Sequence, residues 1–527
     1  MKAWVVIRRS ILILLSVAAL FVVGTSLWES WQQPQVQSRL ELSQTNILLD
    51  ATQWQPEVSD SKIAAARKTL VGDKPLEAAT EQYQEAQASA QTNLEKAKSQ
   101  LEQLRSQPVT TPAPPKTQTK LVPVPETSRL QQQQQLQQSI QQMEKLFAQL
   151  DLRLGILQAQ QGQTNKAIAT WSKLAPSSNQ EPTPLVETAN VLTGLWSKPA
   201  RLLPDAEQSL QNNLDGWFRY QALARFYQLD QRLEALNSLQ AAEQEVAGQA
   251  LLKLAIIGSI PVLGGLTGLG LLIFLISQRL LRGKDSLLAQ NEDIAWSTPW
   301  NGETILQVFV LGFFLVGQII VPLLLVQFKP TSSGVRIQAV TILITYTLLA
   351  LGTLGVLYLS VKPFLPLPSG WFSLDWRGNW FLWGFGGYCV ALPLVVAVSL
   401  LNQQLWQGEG GSNPLLSLTL ESRDRIAQAI FFFTAAIAAP LFEEFLFRGF
   451  LLPSLTRYLP VWGAVVTSSL LFAVAHLSLS EILPLTVLGI VLGIVYTRSR
   501  NLLSSMLIHS LWNSGTLLSL FVLGSGN

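Results

Sequence analysis

The stretch APLFEEFLFRGFLLP, residues 439–453, places two adjacent glutamates and an arginine in a run of Phe and Leu residues. The segment before it, AIFFFTAAIAAP, is equally apolar. An ionised carboxylate in an apolar medium costs several kcal/mol unless it is paired or used. The stretch therefore predicts a membrane-embedded helix whose polar groups have a structural or chemical role.

The composition of the whole chain also indicates a membrane protein. Of its 527 residues, 48% are hydrophobic and 13% charged, against about 25% charged in ordinary soluble domains. A net charge of +3 is too small to indicate a nucleic-acid partner. The one cysteine, Cys389, excludes a disulfide or a cysteine metal cluster within the chain, and we interpret it as a packing residue.

Apolar runs of membrane length recur along the sequence, since a bilayer core needs about 20 apolar residues per helix. The predicted fold class is an all-α, multi-pass membrane protein with about eight or nine spans. The first run follows three basic residues, and we favour an anchor over a cleaved signal peptide because no small-x-small site follows. The predicted spans lie near residues 11–28, 251–277, 303–327, 338–361, 379–402, 427–450, 461–478, 482–497 and 502–524.

Residues 29–248 differ from the rest because they are rich in Gln and charge and lack a membrane-length apolar run. We interpret them as an extramembrane helical domain with partly heptad-like spacing and a Pro-rich linker at 108–125. Within residues 150–245, LGILQAQQGQTNKAIATWSKLAP resembles a tetratricopeptide unit, and YQALARFYQLDQRLEALNSLQ echoes it 66 positions later. A plain helical bundle is the alternative.

The remaining domain boundaries follow from where the spans lie. Residues 1–28 are predicted to form the membrane anchor, 249–370 a set of accessory transmembrane helices, and 371–527 the domain that carries the polar groups. Basic residues cluster at alternate ends of the spans, as the positive-inside rule requires. This pattern predicts residues 29–248 on the exoplasmic side. The charges assigned to the cytoplasmic side are Lys2, Arg8, Arg9, Arg279, Arg282, Lys284, Lys362, Arg377, Arg448, Arg457, Arg498 and Arg500.

Helix geometry separates the two glutamates of the opening stretch. Residues four apart share a helix face, so Glu444 and Arg448 can neutralise each other. The residue four after Glu443 is Phe447, which offers no charge. Glu443 is therefore predicted to be unpaired, and a desolvated carboxylate of this kind suits a general base.

Both histidines of the chain, His476 and His509, lie in its last 52 residues. Phe472 is predicted to share a helix face with His476, and Asn513 with His509. Taken singly, a membrane histidine is more often an interhelical hydrogen-bonding residue than a catalyst, and Asn513 alone could have the same role. Together with Glu443 they form a costly polar set that predicts a functional site.

Three motifs in this region carry a family resemblance. EEFLFR matches E-E-x-x-x-R, FAVAH matches F-x-x-x-H, and HSLWN matches H-x-x-x-N, in that order. The region of about residues 375–525 thereby resembles the CAAX protease and bacteriocin-processing (CPBP, or Abi) family, which includes the type II CAAX prenyl endopeptidase. Residues 29–248 and the spans before 375 have no counterpart in these motifs.

The resemblance implies an intramembrane endopeptidase. By residue, it implies that Glu443 activates a water, that His476 helps to orient it, and that His509 and Asn513 stabilise the oxyanion. Glu444, Arg448 and Phe472 would be supporting residues. Glu443, His476 and His509 could instead bind zinc, because two histidines and a carboxylate are the ligands of many catalytic zinc sites. We favour the metal-free scheme.

The expected substrate is a membrane protein or peptide, prenylated or not, and residues 29–248 are expected to recruit a protein partner. The expected location is a bacterial cytoplasmic membrane or another internal membrane. Two other functions are compatible with the sequence. One is a non-catalytic scaffold or immunity-type protein that acts through the extramembrane domain. The other is a proton-linked transporter, although no repeated halves are evident.

Overall fold

The computed structural model describes residues 2–31, 37–56, 61–106, 126–174, 183–326, 334–406 and 409–524, and every regular element in these ranges is helical. The predicted all-α, multi-pass class is thus confirmed. The chain divides into two compact units. Residues 41–255 form the first unit, and residues 1–40 together with 256–525 form the second.

The first unit consists of helices whose apolar faces pack on one another. The predicted Pro-rich linker at 108–125 lies outside the described residues. The helices are α2 (Gln37–Thr52), α3 (Ser61–Val71), α4 (Pro75–Ser106), α5 (Glu126–Gln160), α6 (Thr164–Ser172), α7 (Pro184–Trp196), α8 (Ala206–Asn213), α9 (Gly216–Leu229) and the start of α10 (Leu233–Arg282).

The core of this unit is centred on Trp171, which is 1% exposed and donates its indole N–H to the Leu152 carbonyl at 3.1 Å. A Cβ at Gly155 would lie 2.1 Å from the indole nitrogen, so only glycine fits at this helix–helix contact. Gly162 has a φ of +78° in the turn between α5 and α6. The chain thus forms the helix–turn–helix pair predicted for residues 154–176, while its assignment to the tetratricopeptide family stays a prediction.

The second unit contains the membrane helices. By length and composition, eight helices in the described residues can cross a membrane. A ninth apolar helix, Val461–Val474 (α16), has only 14 residues. This agrees with the predicted eight or nine spans. The helices are α1 (Lys2–Trp31), α10, α11 (Gly302–Val326), α12 (Val335–Val361), α13 (Trp380–Trp406), α14 (Pro414–Glu421), α15 (Arg425–Leu455), α16 (Val461–Val474), α17 (Leu479–Ser499) and α18 (Leu502–Gly524).

Indole rings tie together the loops at one end of this unit. Trp300 and Trp371 lie 4.3 Å apart between ring centroids, and Trp300 donates to the Ser454 hydroxyl at 2.9 Å. Trp371 donates to the Ser297 carbonyl at 2.9 Å. We call this end the tryptophan end. These indole contacts hold the start of α11 against the end of α15.

The first helix, α1, is attached at both of its ends to later parts of the second unit. Near its start, Arg8 and Arg9 both pair with Glu303 at the beginning of α11. Near its end, the buried Ser30 hydroxyl donates to the Gly410 carbonyl at 2.6 Å and accepts the Leu479 N–H at 3.1 Å. The predicted anchor is therefore an integral part of this unit.

Candidate active site

The helix that carries the paired glutamates, α15, changes its winding around them. A short α-helical segment, Ala439–Glu444, lies between two π-helical segments, Phe433–Ala438 and Phe445–Leu451. A π-segment shifts the backbone hydrogen bonds by one residue and leaves carbonyl groups free for other donors. Such segments are frequent at functional sites. The local winding thus sets the directions of the glutamate side chains.

Glu444 and Arg448 form an ion pair inside the protein, as their spacing predicts. Both are 0% exposed, and Arg448 Nη1 donates to Glu444 Oε1 at 2.7 Å. Arg448 Nη2 also donates to the Gly489 carbonyl of α17 at 3.2 Å. The guanidinium is thus buried against α17, and the assignment of Arg448 to the cytoplasmic side stays a prediction.

His509 on α18 lies between the two glutamates. Its Nδ1 is 2.9 Å from Glu444 Oε1, and its Nε2 is 3.9 Å from Glu443 Oε2. Because the Arg448-bound carboxylate is an acceptor only, Nδ1 carries the hydrogen of the first contact. The free nitrogen, Nε2, therefore faces Glu443.

Phe472 on α16 is the apolar centre of the site. Its ring is 0% exposed and stands edge-to-face with both imidazoles, at 4.9 Å from His476 and 5.6 Å from His509. The Arg448 guanidinium lies over the same ring, with its Cζ 4.4 Å from the centroid. One aromatic ring thus brings together both histidines and the charged pair.

His476 lies in a turn, whereas the sequence predicts it on a helix face with Phe472. The helix ends at Val474, and Leu477 adopts a positive φ of +56°. His476 Nδ1 lies 2.8 Å from the Phe472 carbonyl, which can only accept, so Nδ1 donates and Nε2 is the free nitrogen. The turn, and not the helix, sets the direction of this imidazole.

His476 and Glu443 are connected through Phe472 and His509. The Phe472 ring contacts both imidazoles, and His509 Nε2 lies 3.9 Å from Glu443 Oε2. The two residues therefore lie around the same pair of side chains.

Glu443 is not unpaired, which corrects the prediction made from its helix alone. Tyr346 of α12 donates its hydroxyl to Glu443 Oε1 at 2.9 Å. The other oxygen, Oε2, is buried without a hydrogen-bond partner. Sequence reasoning missed Tyr346, because nothing in the span except the polar hydroxyl itself distinguished it from Tyr358 of the same helix.

Asn513 uses its amide in a contact between helices. Its Nδ2 donates to the Ala435 carbonyl at 2.7 Å, and Ser510 donates to the Ala436 carbonyl at 2.6 Å. Both carbonyls belong to the first π-segment of α15. One hydrogen of the Asn513 amide and its carbonyl oxygen are left for other partners.

The predicted zinc ligands fit a metal only in part. Each histidine donates its Nδ1–H to a protein acceptor and keeps Nε2 free, as metal-bound histidines commonly do. However, in the described ranges no group of three or more His, Cys, Asp and Glu residues is placed to hold a metal ion. Glu443, His476 and His509 do not form a complete ligand set, so we derive no step through zinc.

Two comparisons with known proteins both find a similarity to CAAX-type proteases. The family model for type II CAAX prenyl endopeptidase Rce1-like proteins matches residues 425–515, which include all the motif residues. Residues 425–515 are thus similar to type II CAAX prenyl endopeptidases of the Rce1-like family. The chain is also 24% identical over 214 residues to the membrane-embedded CAAX protease MroQ of Staphylococcus aureus (strain USA300). The aligned residues cover 39% of this chain and 83% of that protein. No solved structure matches the chain.

The matched segment begins with α15 and ends within α18, so it contains the glutamates, both histidines and Asn513. Tyr346 lies outside it, on α12. The comparisons thus support a CAAX-type intramembrane protease in general.

Proposed function

We propose that the chain is an intramembrane endopeptidase that hydrolyses a peptide bond of a membrane-associated protein or peptide, with Glu443 as the general base. One observation carries this proposal. Glu443 Oε2 is buried without a hydrogen-bond partner and lies 3.9 Å from His509 Nε2. An orphaned carboxylate oxygen that faces an imidazole suits a water bound between them.

In the proposed reaction, Glu443 Oε2 takes a proton from the water while the water oxygen attacks the substrate carbonyl carbon. The carbonyl becomes a tetrahedral oxyanion. The C–N bond then breaks, and the leaving nitrogen takes the proton from Glu443. His476, whose free Nε2 can accept a hydrogen bond, orients the water.

The oxyanion needs hydrogen-bond donors in fixed positions. We assign this role to the remaining amide hydrogen of Asn513 and to His509. Glu444 and Arg448 hold this arrangement, because both contact neighbouring helices. The proposed scheme is metal-free.

The test compares membranes that contain the wild-type protein with membranes that contain Glu443→Gln. We expect the variant to accumulate uncut precursors of membrane proteins, found as N- or C-terminally extended peptides by proteomics. Asp293→Asn, which removes an exposed carboxylate from a loop of the same unit, is the matched control. Identical peptide profiles in wild type and Glu443→Gln, at equal expression, would refute the protease. A Glu443→Gln variant that rescues a deletion phenotype would favour the scaffold.

We further propose that residues 29–248 recruit a protein partner. The first unit has a cavity of about 630 Å³ between α5 and the α8–α9 turn. Gln141, Lys145 and Gln149 line it on the α5 side, and Asn212 lines it on the α8 side. Exposed carboxamides and a lysine can bond to the backbone and acidic side chains of a peptide segment.

Crosslinking in intact membranes tests this recruitment. The double variant Lys145→Glu/Gln149→Ala should lose the crosslinked partners that the wild type captures. The control variant Lys166→Glu, which changes an exposed lysine on α6, should keep them. Equal capture by all three proteins would refute the cavity as the recruiting surface.

We also propose that residues 29–248 lie on the exoplasmic side of a bacterial cytoplasmic membrane. The alternation of basic residues along the spans supports this assignment. In a Cys389→Ser background, Lys166→Cys provides a single exposed thiol on α6. A membrane-impermeant maleimide should label it in intact cells. Labelling only after lysis would reverse the assignment.

A further inference from the structure

A tyrosine outside the family segment contacts the proposed base. Tyr346 is on α12, 97 residues before Glu443, and its hydroxyl donates to Glu443 Oε1 at 2.9 Å. Its ring stands edge-to-face against Phe442, with 5.9 Å between the centroids. The matched segment starts at residue 425, so the family comparison does not reach this residue.

The direction of the Tyr346 hydroxyl is unlike that of its polar neighbours on α12. The hydroxyls of Thr341, Thr345 and Thr347 each donate to the carbonyl four residues earlier in the same helix. A phenol is too long to bond in this way, so a buried tyrosine needs a partner from another element. For Tyr346 this partner is a carboxylate, and hydrogen bonds to ionised groups are stronger than those between neutral groups.

The attachment of α12 to the rest of the unit does not depend on this hydrogen bond. Ala339 packs in a buried cluster with Ala427 and Phe431 of α15. At the start of α12, Arg336 pairs with Asp424 at 2.8 Å. Since these contacts already fix α12 against α15, the Tyr346 hydroxyl is free to serve the chemistry of Glu443.

The hydrogen bond makes the two oxygens of Glu443 different. Oε1 is held by Tyr346, whereas Oε2 is buried without a partner and faces His509. We propose that Tyr346 is a positioning residue, which fixes Oε1 of Glu443 so that Oε2 receives the proton of the attacking water. This inference rests on the proposed function, because it requires Glu443 to be the base.

The inference also gives the accessory helices a role. Residues 249–370 would contribute the Tyr346 hydroxyl, which positions the general base Glu443. The segment of residues 371–527 would then lack this positioning group if it were produced alone.

The test measures cleavage of a precursor that accumulates with Glu443→Gln, using full-length protein reconstituted in liposomes. Tyr346→Phe keeps the ring against Phe442 and removes only the hydroxyl. We expect its kcat to fall by roughly tenfold to a hundredfold, as for loss of a hydrogen bond to a charged group, with KM within about twofold of wild type. Tyr358→Phe, which removes an exposed hydroxyl from the same helix, should keep wild-type kcat.

Three outcomes separate the two proposals. An inactive Glu443→Gln with a fully active Tyr346→Phe would overturn the role of Tyr346 and leave Glu443 as the base. An active Glu443→Gln, or the absence of any precursor, would overturn both. A lower melting temperature of Tyr346→Phe with unchanged kcat of the folded enzyme would reduce Tyr346 to a structural residue.

Discussion

Glu444 and His509 are 65 residues apart in the sequence, and the imidazole Nδ1 lies 2.9 Å from the carboxylate Oε1. The same oxygen accepts a hydrogen bond from Arg448 at 2.7 Å. A single buried carboxylate oxygen therefore positions both the structural cation and the histidine that faces the proposed base. The stability of the fold and the geometry of the site depend on the same atom.

The first prediction concerns this shared carboxylate. Arg448→Met should lower the free energy of unfolding by about 3–5 kcal/mol, because it leaves Glu444 buried without its counter-charge. Replacing both partners, in Arg448→Met/Glu444→Leu, should restore much of this loss. Thermal unfolding in detergent measures both. If the double variant is less stable than the single one, the pair is not the source of the effect. Even if its stability is restored, the double variant should be inactive, because His509 loses Glu444 as its hydrogen-bond acceptor.

The second prediction concerns metal content. Because the three predicted ligands do not form a complete ligand set, the purified protein should contain far less than one zinc per chain by mass spectrometry of the elements. Activity should survive a chelator that is then removed by dialysis. Stoichiometric zinc whose removal abolishes cleavage and whose return restores it would replace the metal-free scheme.

Local sequence spacing was sufficient for part of the site. The Glu444–Arg448 pair follows from residues four apart on one helix, and it forms even though α15 becomes π-helical after Glu444. The apolar runs likewise predicted the membrane helices, because span length depends on bilayer thickness alone. Such features depend on neighbours along the chain.

Contacts between distant segments could not be predicted in this way. Tyr346 reaches Glu443 only because α12 packs beside α15, and no pattern within either helix specifies this pairing. The turn at His476 was also missed, because a left-handed residue after a helix is usually Gly or Asn, and Leu477 occupies that position here. The sequence therefore indicated the glutamates, the histidines and Asn513 as candidate site residues, but neither Tyr346 nor the contacts among them.

The third prediction concerns the attachment of the first helix. Ser30→Ala removes the acceptor of the Leu479 N–H and a donor to the Gly410 carbonyl, both in a buried position. An unsatisfied buried group costs about 1–3 kcal/mol, so the melting temperature should fall. Cleavage should also slow, because Leu479 is three residues after His476.

Thr25→Ala is the control for Ser30, because the exposed Thr25 hydroxyl bonds only within its own helix, to the Val22 carbonyl. It should change neither stability nor cleavage. Equal effects of the two variants would show that Ser30 has no special role in holding the turn after α16.

The fourth prediction concerns pH and the first unit. Burial raises the pKa of Asp151 from 3.8 to about 6, although a hydrogen bond from Gln87 opposes the shift. Between about pH 4 and 6 the unfolded chain releases this proton while the folded chain keeps it. The contribution of Asp151 to stability should therefore fall as pH rises through this window and level off above it. Burial raises the pKa of Asp50 to about 6 as well, which adds to the same slope.

Urea titrations of the full-length protein, followed by circular dichroism, measure this dependence. Asp151→Asn should flatten the slope between about pH 4 and 6, whereas Asp230→Asn, which changes an exposed residue, should keep it. A slope unaffected by Asp151→Asn would show that other groups cause the pH dependence.

The attachment of α1 has a consequence for how the protein is made. Ser30 is synthesised 449 residues before Leu479, whose N–H it accepts. At about 5–20 residues per second, roughly 20 to 90 s pass between the two. The contacts of α1 with Glu303 and with Gly410 can form earlier, but the contact with Leu479 must wait for α17. The membrane unit is thus closed by a contact between its first helix and the helix before α18, which forms only after 449 further residues have been synthesised.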